Sequence, residues 1–416
     1  MLSVISRMRT TRIDIRGHYL YILGVAIIAV GLIVRLFSYP IISADFVASL
    51  SHWMDALRGM PGLHAFEKPF SDYPPLYLYF LKFLTLLHGY ELYWIKTLSF
   101  IFDILLAIVA YLMVKETTDD KLEPGWYFLV FAVVVSLPTV ILNSSMWGQS
   151  DSIYASLSLL CLYFIMRDKP LCATLSFGAA FSFKLQSIFI APVLVGYFLS
   201  RHRRKEWPYL LLVPAIYILT LVPAVTAGGS FVGLLLTYIH QSGEFSQLSL
   251  SAPSVYSFIN GNGVSAFGNS FLSWIGYVIA FAIAIYIVWA TTRIFAAAEH
   301  KPGLLGQEQG QPEARTAQKI LIMGLLAAIT IPFFLSHMHD RYFYMADALS
   351  TVFAFSNPRY WFVPVLSVAA SFFSYMPFLS GQVPLFGRLI VPEGYLGILM
   401  LMAIIILWTN TLNQKN

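Results

Sequence analysis

The chain has 416 residues, of which 58% are hydrophobic and only 11% are charged, against roughly 25% charged residues in an average soluble domain. Together with a mean hydropathy of +0.71, this composition excludes a soluble globular protein. The net charge of +5 comes from basic residues scattered between apolar runs, which argues against a nucleic-acid partner. Runs such as "YILGVAIIAVGLIV" show no polar alternation, so they predict helices and not the strands of a membrane barrel.

Twelve apolar segments predict an all-α polytopic membrane protein, with about 11–13 transmembrane helices in one domain, 1–416. The first run is too long for a secretion signal and no convincing cleavage site follows it, so we interpret it as a retained span. The predicted segments are 18–38, 92–114, 126–142, 152–166, 170–184, 187–199, 208–226, 271–294, 319–335, 342–356, 360–378 and 394–412.

The distribution of basic loops predicts the topology. With the N-terminus in the cytoplasm, twelve spans place every strongly basic loop, such as "RHRRK" at 201–205, on the cytoplasmic side, as the positive-inside rule expects. A further crossing at 76–88 would reverse all downstream loops, so we expect that segment to lie along the outer interface or to re-enter it. The same count makes 39–91 a long outer loop and 299–318 a disordered cytoplasmic connector rich in Gly, Gln and Pro.

The stretch "SADFVASLSHWMDAL", residues 43–57, predicts an amphipathic helix at the interface. Asp45, Ser49 and His52 recur at the spacing of one helix face. Asp45 is interpreted as a carboxylate directed above the bilayer or as the N-cap of this helix, and the two roles are compatible. The apolar residues form the opposite stripe, namely Phe46, Leu50, Trp53 and Leu57.

The stretch "SDYPP" predicts a stiff corner at residues 71–75. A residue before proline is pushed towards extended geometry, and proline is tolerated in the first turn of a helix. Asp72 and Tyr73 are therefore expected in an extended segment that leads into the next helix. The alternative is a plain turn before an interfacial helix.

The stretch "HMHDRYFY" begins at His337 and places His339, Asp340 and Arg341 between apolar helices, where ionisable groups are costly and usually functional. Histidines two residues apart do not share a helix face, so an irregular segment is expected. Arginine and histidine donors suit a phosphate. Two alternatives remain open: Arg341 pairs with Asp340 alone, or the histidines bind a metal, although no third ligand has a supporting spacing.

Single polar residues accompany these stretches on the predicted outer side. Lys184 lies at the end of a predicted span, where a snorkelling lysine is the alternative. Gln149 and Asp151 occur in "MWGQSD", where Asp151 is also a candidate helix cap, and Glu244 lies in the outer loop. The chain has no phosphate-binding loop and no dinucleotide fingerprint, so an activated substrate would be delivered by the membrane itself.

The stretches "ADFVASLSHWMDAL" and "SDYPPLYLY" resemble the first luminal loop of two groups of GT-C integral-membrane glycosyltransferases. These are the lipid-linked-oligosaccharide glucosyltransferases and the second mannosyltransferase of GPI anchor synthesis. The blocks "MWGQSDSIYASL", "FSFKLQSIFIAP", "LSLSAPSVYSFI" and "HMHDRYFY" are similar to blocks of their bacterial relatives. The resemblance covers roughly residues 20–380 in the expected order.

This resemblance implies a GT-C-like bundle with interfacial helices in the first outer loop. It also implies a polyprenyl-phosphate-linked sugar donor that is reached from the bilayer. The catalytic base of the family is an acidic residue in the first loop, which corresponds to Asp45, and the block near the donor phosphate corresponds to His337, His339 and Arg341. The Asp-x-Asp motif of metal-dependent members is absent, so no cofactor is firmly implied and a divalent metal stays open.

We therefore expect an inverting glycosyltransferase that moves a hexose of the mannose or glucose class to a lipid-linked or cell-envelope glycan acceptor. The expected setting is a bacterial inner membrane, with the site facing the periplasm or the cell exterior. The alternatives are a polysaccharide polymerase or ligase and a transporter or flippase of lipid-linked sugars. The predicted base is Asp45, the phosphate-binding residues are His337, His339, Arg341 and Lys184, and the site-shaping residues are His52, Asp72, Tyr73, Gln149, Asp151 and Glu244.

Overall fold

The computed structural model describes residues 15–242, 247–259, 266–299 and 311–413. The all-α polytopic architecture predicted from the sequence is confirmed. The α-helices are α1 (Ile15–Ser38), α2 (Ser51–Gly59), α3 (Pro75–Leu84), α4 (Glu91–Thr117), α5 (Pro124–Val135), α6 (Pro138–Ile141), α7 (Asp151–Met166), α8 (Pro170–Phe183), α9 (Ala191–Leu199), α10 (Leu212–Thr226), α11 (Phe231–Leu235), α12 (Thr237–Ser242), α13 (Ala266–Glu299), α14 (Gln311–Phe334), α15 (Tyr344–Ser356), α16 (Phe362–Leu379) and α17 (Glu393–Asn413).

Shorter elements connect these helices. Two strands, β1 (Ser249–Leu250) and β2 (Met338–His339), pair in parallel. Two π-helical segments cover Phe46–Leu50 and Leu142–Trp147. The 3₁₀ segments are His64–Glu67, Leu185–Ile190, Arg201–Leu211, Val255–Phe258, Asp340–Phe343, Pro358–Tyr360 and Pro384–Leu389.

All twelve predicted spans coincide with helical segments. Among the described residues, seven helices are long and apolar enough to cross a membrane, and the number is eight if α5 and the segment Pro138–Trp147, bent by 45°, form one span. The remaining predicted spans fall on shorter helices, such as α15 with 13 residues. A helix of that length is about 20 Å long, against about 30 Å of hydrocarbon. The predicted helices are therefore present, but only seven or eight have the length of a full crossing.

Helix α3 is too short to span the membrane, as predicted for 76–88. Its ten residues measure about 15 Å. Pro74 has extended backbone angles (φ −61°, ψ 149°) and Pro75 occupies the first turn of the helix, so the two prolines form the predicted stiff corner. Tyr77 and Leu81 of α3 pack in one cluster with Trp53, on the apolar stripe of the preceding helix.

Helix α14 lies at the centre of the bundle. In the 18-residue apolar stretch of α14, 83% of the residues are buried inside the protein. In the corresponding stretch of α1 only 17% are buried, so α1 is peripheral. The chain leaves α14 directly into the stretch 335–343, so the central helix carries the "HMHDRY" segment at its end. The connector predicted over 299–318 is helical from Gln311 onwards, where Glu, Ala, Arg and Gln favour a helix. Residues 300–310 lie outside the described part of the chain.

Candidate active site

A cavity of about 860 Å³ opens at one end of the bundle. Its walls come from the first outer loop, the turn before α7, the turn after α8, Gln241, the stretch 247–251 and the segment that follows α14. The predicted site residues are far apart in the sequence, and the fold brings most of them to this one space. Those that line the cavity are Asp45, Asp72, Tyr73, Gln149, Lys184, His337, His339 and Arg341.

Asp45 lies at the start of the amphipathic helix, and the predicted apolar stripe of that helix is buried. The helix is capped by another residue: Ser43 Oγ accepts a hydrogen bond from Phe46 N at 3.2 Å and donates one to Trp147 O at 2.6 Å. Asp45 itself has helical backbone angles and makes no side-chain capping bond, whereas an N-cap residue is non-helical. The capping alternative for Asp45 is therefore wrong.

The Asp45 carboxylate is held by two neutral donors. Its Oδ2 accepts hydrogen bonds from Trp147 Nε1 at 2.9 Å and from Gln149 Nε2. Within the described residues both bonds go to Oδ2, so Oδ1 has no hydrogen-bond donor among them. The side chain is 30% exposed towards the cavity. A fixed and accessible carboxylate oxygen of this kind can act as a general base.

Trp147, which the sequence reading did not single out, connects this carboxylate to the cation across the site. Its ring stacks on Phe378 with centroids 4.3 Å apart, and the Arg341 guanidinium carbon lies 5.2 Å from its centroid. The π-helical segment Leu142–Trp147 ends at Gly148, whose φ of +81° lies in the left-handed region that glycine tolerates. The Trp-Gly pair in "SSMWGQSD" was the sequence signal for this turn.

Arg341 faces three carboxylates at similar distances. Its guanidinium nitrogens lie 4.0 Å from Asp45 Oδ2, 3.9 Å from Asp151 Oδ2 and 3.8 Å from Asp340 Oδ1. Pairing with Asp340 alone is therefore wrong. The side chain is 14% exposed, and Arg341 Nε is buried without a hydrogen-bond partner among the described residues. A buried guanidinium with free donors is suited to bind an anion in the cavity.

The two histidines occupy the irregular segment that was predicted. His337 has a left-handed backbone (φ +61°), and its Nδ1 donates to the Gln247 carbonyl at 2.7 Å. His339 lies in β2, which pairs with β1 of the preceding outer loop. Burial, together with the nearby Arg341 and Lys184 cations, lowers the pKa of His339 to about 2. His339 is therefore neutral at working pH and offers a hydrogen bond but no positive charge.

Lys184 is buried and forms an ion pair with Asp151 Oδ1. The snorkelling alternative is wrong, because a snorkelling lysine keeps its ammonium group in water. Asp151 is fully buried behind the cavity wall, and its Oδ2 accepts a hydrogen bond from Asn143 Nδ2 at 2.7 Å. Because Asp151 also faces Arg341 at 3.9 Å, one carboxylate fixes both cations of the site, and capping of α7 is not its role.

Asp72 and Tyr73 form the wall nearest the interfacial helix. The Tyr73 ring packs between Trp53 and Tyr77, with centroids 5.2 and 5.4 Å away, and Lys184 Nζ lies 5.6 Å from its centroid. Asp72 is exposed at the mouth of the cavity. Its position there suits contact with a polar substrate.

One predicted site residue, His52, is not part of this arrangement. His52 is exposed and does not line the cavity. The π-helical segment Phe46–Leu50 adds a residue to one turn and so rotates the following residues away from the face of Asp45. Glu244 lies outside the described residues. Within the described ranges, no group of three or more His, Cys, Asp or Glu side chains is arranged to hold a metal ion.

Helix α4 anchors the two segments that meet at Asp45, namely the one after α1 and the one that contains Gln149. The sequence did not predict this role of α4. The fully buried Lys96 donates from Nζ to three backbone carbonyls at the end of α1, those of Ser38 (3.0 Å), Tyr39 (2.9 Å) and Ile41 (2.7 Å). One turn later, Ser99 Oγ donates to the carbonyl of Gln149 at 2.7 Å. Carbonyls at a helix end have no partner within the helix, so Lys96 supplies donors to the segment that leads to Asp45.

A second buried network lies deeper in the spans. Arg35 Nη1 forms an ion pair with Asp103 Oδ2 at 2.8 Å and donates to Ser145 Oγ at 2.6 Å. Tyr344 OH donates to the other oxygen of Asp103 at 3.2 Å. These groups join α1, α4 and α15 to the π-helical segment Leu142–Trp147, and none of them lines the cavity.

A multi-span helical bundle with a carboxylate and a buried guanidinium in one cavity at its end has the arrangement of an integral-membrane glycosyltransferase of the GT-C type. Residues 70–306, more than half of the chain, match the family model of glycosyltransferase family 87. The chain belongs to this family. The matched range includes Asp72, Gln149, Asp151 and Lys184 but neither Asp45 nor Arg341.

The chain is also similar to GPI mannosyltransferase 1 of the yeast Kluyveromyces lactis. The two sequences are 28% identical over 137 residues, which cover 32% of this chain and 32% of the relative. The match therefore spans about a third of the length of that curated protein.

Proposed function

We propose that the protein is an inverting glycosyltransferase that takes a hexose from a polyprenyl-phosphate donor. The acceptor is a lipid-linked or cell-envelope glycan on the non-cytoplasmic face of a bacterial inner membrane. Mannose is the favoured sugar within the mannose or glucose class, because the curated relative is named a mannosyltransferase. The outer location rests on the positive-inside distribution of basic loops.

The reaction is a direct displacement at the anomeric carbon. The acceptor hydroxyl approaches from the face opposite the phosphate, and its proton passes to Asp45 Oδ1. The new glycosidic bond forms as the bond between the anomeric carbon and the phosphate oxygen breaks, and the electron pair leaves with polyprenyl phosphate. Arg341 and Lys184 stabilise the negative charge that develops on this leaving group. His337 and neutral His339 supply hydrogen bonds, while Asp72 and Tyr73 position the acceptor.

One observation carries this proposal: the Asp45 carboxylate and the Arg341 guanidinium lie 4.0 Å apart across one cavity. A base and an anion-binding cation must both reach the same sugar, on opposite faces, for an inverting transfer from a glycosyl phosphate. A bound glycosyl phosphate would insert between these two groups. The cavity volume of about 860 Å³ is within the range that accommodates small ligands.

The alternative classes fit the described residues less well. A transporter of lipid-linked sugars needs ionisable groups along a passage at the membrane midplane. Arg35 and Asp103 are buried within the spans, but they pair with each other and line neither of the described cavities. A polymerase or ligase of this kind would have an arginine-rich outer surface. It is also disfavoured, because Arg341 is the single arginine among the described residues that line the catalytic cavity.

The test is a transfer assay with purified protein, synthetic polyprenyl-phosphate mannose or glucose, and acceptor extracted from membranes. Asp45→Asn keeps the shape of the side chain but removes the base, so we expect turnover to fall by about 10²- to 10⁴-fold. The matched control is Asp55→Asn on the same amphipathic helix, where the carboxylate is 71% exposed and pairs with Arg58 outside the cavity. This control is expected to keep normal turnover.

Two results would overturn the proposal. The first is full turnover by Asp45→Asn protein that elutes as a folded monodisperse species. The second is a product with the same anomeric configuration as the donor, read by nuclear magnetic resonance, because direct displacement inverts that centre. A sugar other than mannose would change the donor assignment alone.

A further inference from the structure

A second cavity, of about 680 Å³, lies between α13, α14 and α17 and is separate from the catalytic cavity. Arg293 of α13 and Lys319 of α14 both line it. The rest of its described lining is apolar or aromatic, apart from Thr411, and includes no carboxylate. The cavity therefore combines two cations with an apolar wall.

Two of the three helices that form this cavity, α13 and α17, also reach the catalytic cavity with their other ends. Tyr277 of α13 and Glu393 of α17 line the catalytic cavity, while Arg293 and Thr411 line the second one. Sixteen residues separate Tyr277 from Arg293 and eighteen separate Glu393 from Thr411, which correspond to about 24 and 27 Å of helix. These lengths approach the thickness of the hydrocarbon core, about 30 Å. The second cavity is therefore at the level of the opposite leaflet.

The chemistry of the lining matches a lipid head group at that depth. Arg293 and Lys319 are exposed at the cavity, and neither forms an ion pair among the described residues. Trp289 is 50% exposed, and its ring lies 5.8 Å from that of Tyr286. Aromatic rings of this kind concentrate at the boundary between head groups and acyl chains, and Met323 extends the wall towards the hydrocarbon.

We propose that this second cavity binds the phosphate head group of an anionic glycerophospholipid from the leaflet opposite the catalytic cavity. Arg293 and Lys319 contact the phosphate, and Trp289 and Met323 contact the glycerol backbone and the upper acyl chain. Two cations without a lining carboxylate favour an anionic lipid over a zwitterionic one, because the head group of the latter carries its own positive charge. Basic pockets between membrane helices commonly have this function.

The test measures lipid binding by native mass spectrometry of the detergent-purified full chain, titrated with phosphatidylglycerol or with phosphatidylcholine of the same acyl chains. We expect the first phosphatidylglycerol to bind more tightly than the first phosphatidylcholine. Each cation near a lipid phosphate contributes about 1 kcal/mol, which corresponds to about fivefold in dissociation constant. The double variant Arg293→Gln, Lys319→Gln should therefore weaken phosphatidylglycerol binding by about 25-fold and phosphatidylcholine binding by a smaller factor.

The matched control neutralises two cations at the same end of the bundle but outside the cavity, in the double variant Lys121→Gln, Arg359→Gln. Both residues follow helix ends that meet there, since Thr117 Oγ1 and Ser356 Oγ are 2.6 Å apart. This control should retain most of the phosphatidylglycerol preference. Equal binding of the two lipids by the wild type, or equal losses in the two double variants, would overturn the proposal. Competition by soluble glycerol 3-phosphate at the same concentration would overturn the assignment to a lipid.

Discussion

The substitution Lys96→Met tests whether helix α4 positions the proposed base from outside the cavity. Methionine has a similar length and is apolar, so it fills the same buried space but donates no hydrogen bond. The three carbonyls that Lys96 contacts, at 2.7 to 3.0 Å, belong to the segment Ser38–Ile41, four residues before Asp45. Without these donors the segment Ser38–Ile41 can shift, and the Asp45 carboxylate would shift with it.

The size of the effect follows from these contacts. Each buried carbonyl left without a donor costs about 1–3 kcal/mol, and removal of the buried ammonium group returns several kcal/mol of desolvation free energy. The net loss of stability is therefore smaller than the total of about 3–9 kcal/mol for the three carbonyls. A misplacement of about 1 Å at a catalytic group costs about 10²-fold in rate. We expect kcat to fall by about 30- to 100-fold, while KM for the donor changes by less than about threefold because Lys96 does not line the cavity.

The assay is the same sugar transfer, with kcat and donor KM measured on purified protein. The chain offers a matched control in Lys82→Met, because Lys82 also donates to backbone carbonyls, those of Leu57 (2.5 Å) and Met60 (2.9 Å), at the other end of the amphipathic helix. This control should unfold at a lower temperature with little change in kcat. Wild-type kcat in folded Lys96→Met protein, or an equal kcat loss in Lys82→Met, would refute the positioning role.

Three further predictions concern the cavity. Arg341→Ala should raise KM for the donor by about 10- to 100-fold, from the loss of charge-assisted hydrogen bonds, with little change in KM for the acceptor; equal changes in steady-state kinetics would contradict phosphate binding. Burial raises the pKa of Asp340 to about 7, although the Arg341 cation opposes this rise. The protonated Asp340 carboxyl therefore contributes stability at low pH, and this contribution is lost as the pH rises through about 7. Asp340→Asn should therefore flatten the fall of the unfolding temperature between about pH 5 and 7, and parallel thermal-shift curves would refute this. Asp72→Asn should lower turnover by about tenfold through the acceptor, and normal kinetics would remove Asp72 from the site.

Much of the candidate site was predictable because its residues carry local signals. Asp45 opens an apolar stripe with helical spacing, Asp72 precedes two prolines, and Arg341 interrupts an apolar chain with a cluster of ionisable groups. Such patterns are rare in membrane segments because charged groups there are costly. The wrong prediction for His52 also has a local cause. His52 is rotated away by a π-helical segment, and no hydrophobic pattern reports one extra residue in a turn.

By itself, the sequence determined the membrane class, the helical segments and the polar stretches, because hydrophobicity and proline act through neighbouring residues. Only the tertiary structure decided which of these groups meet. Lys184 and Arg341 lie more than 150 residues apart in the chain, yet both face the one carboxylate of Asp151. Trp147 joins the base to the cation, and Lys96 holds a backbone segment far from it in sequence. Contacts of this kind depend on how distant helices pack around a shared core, so they leave no periodicity in the chain.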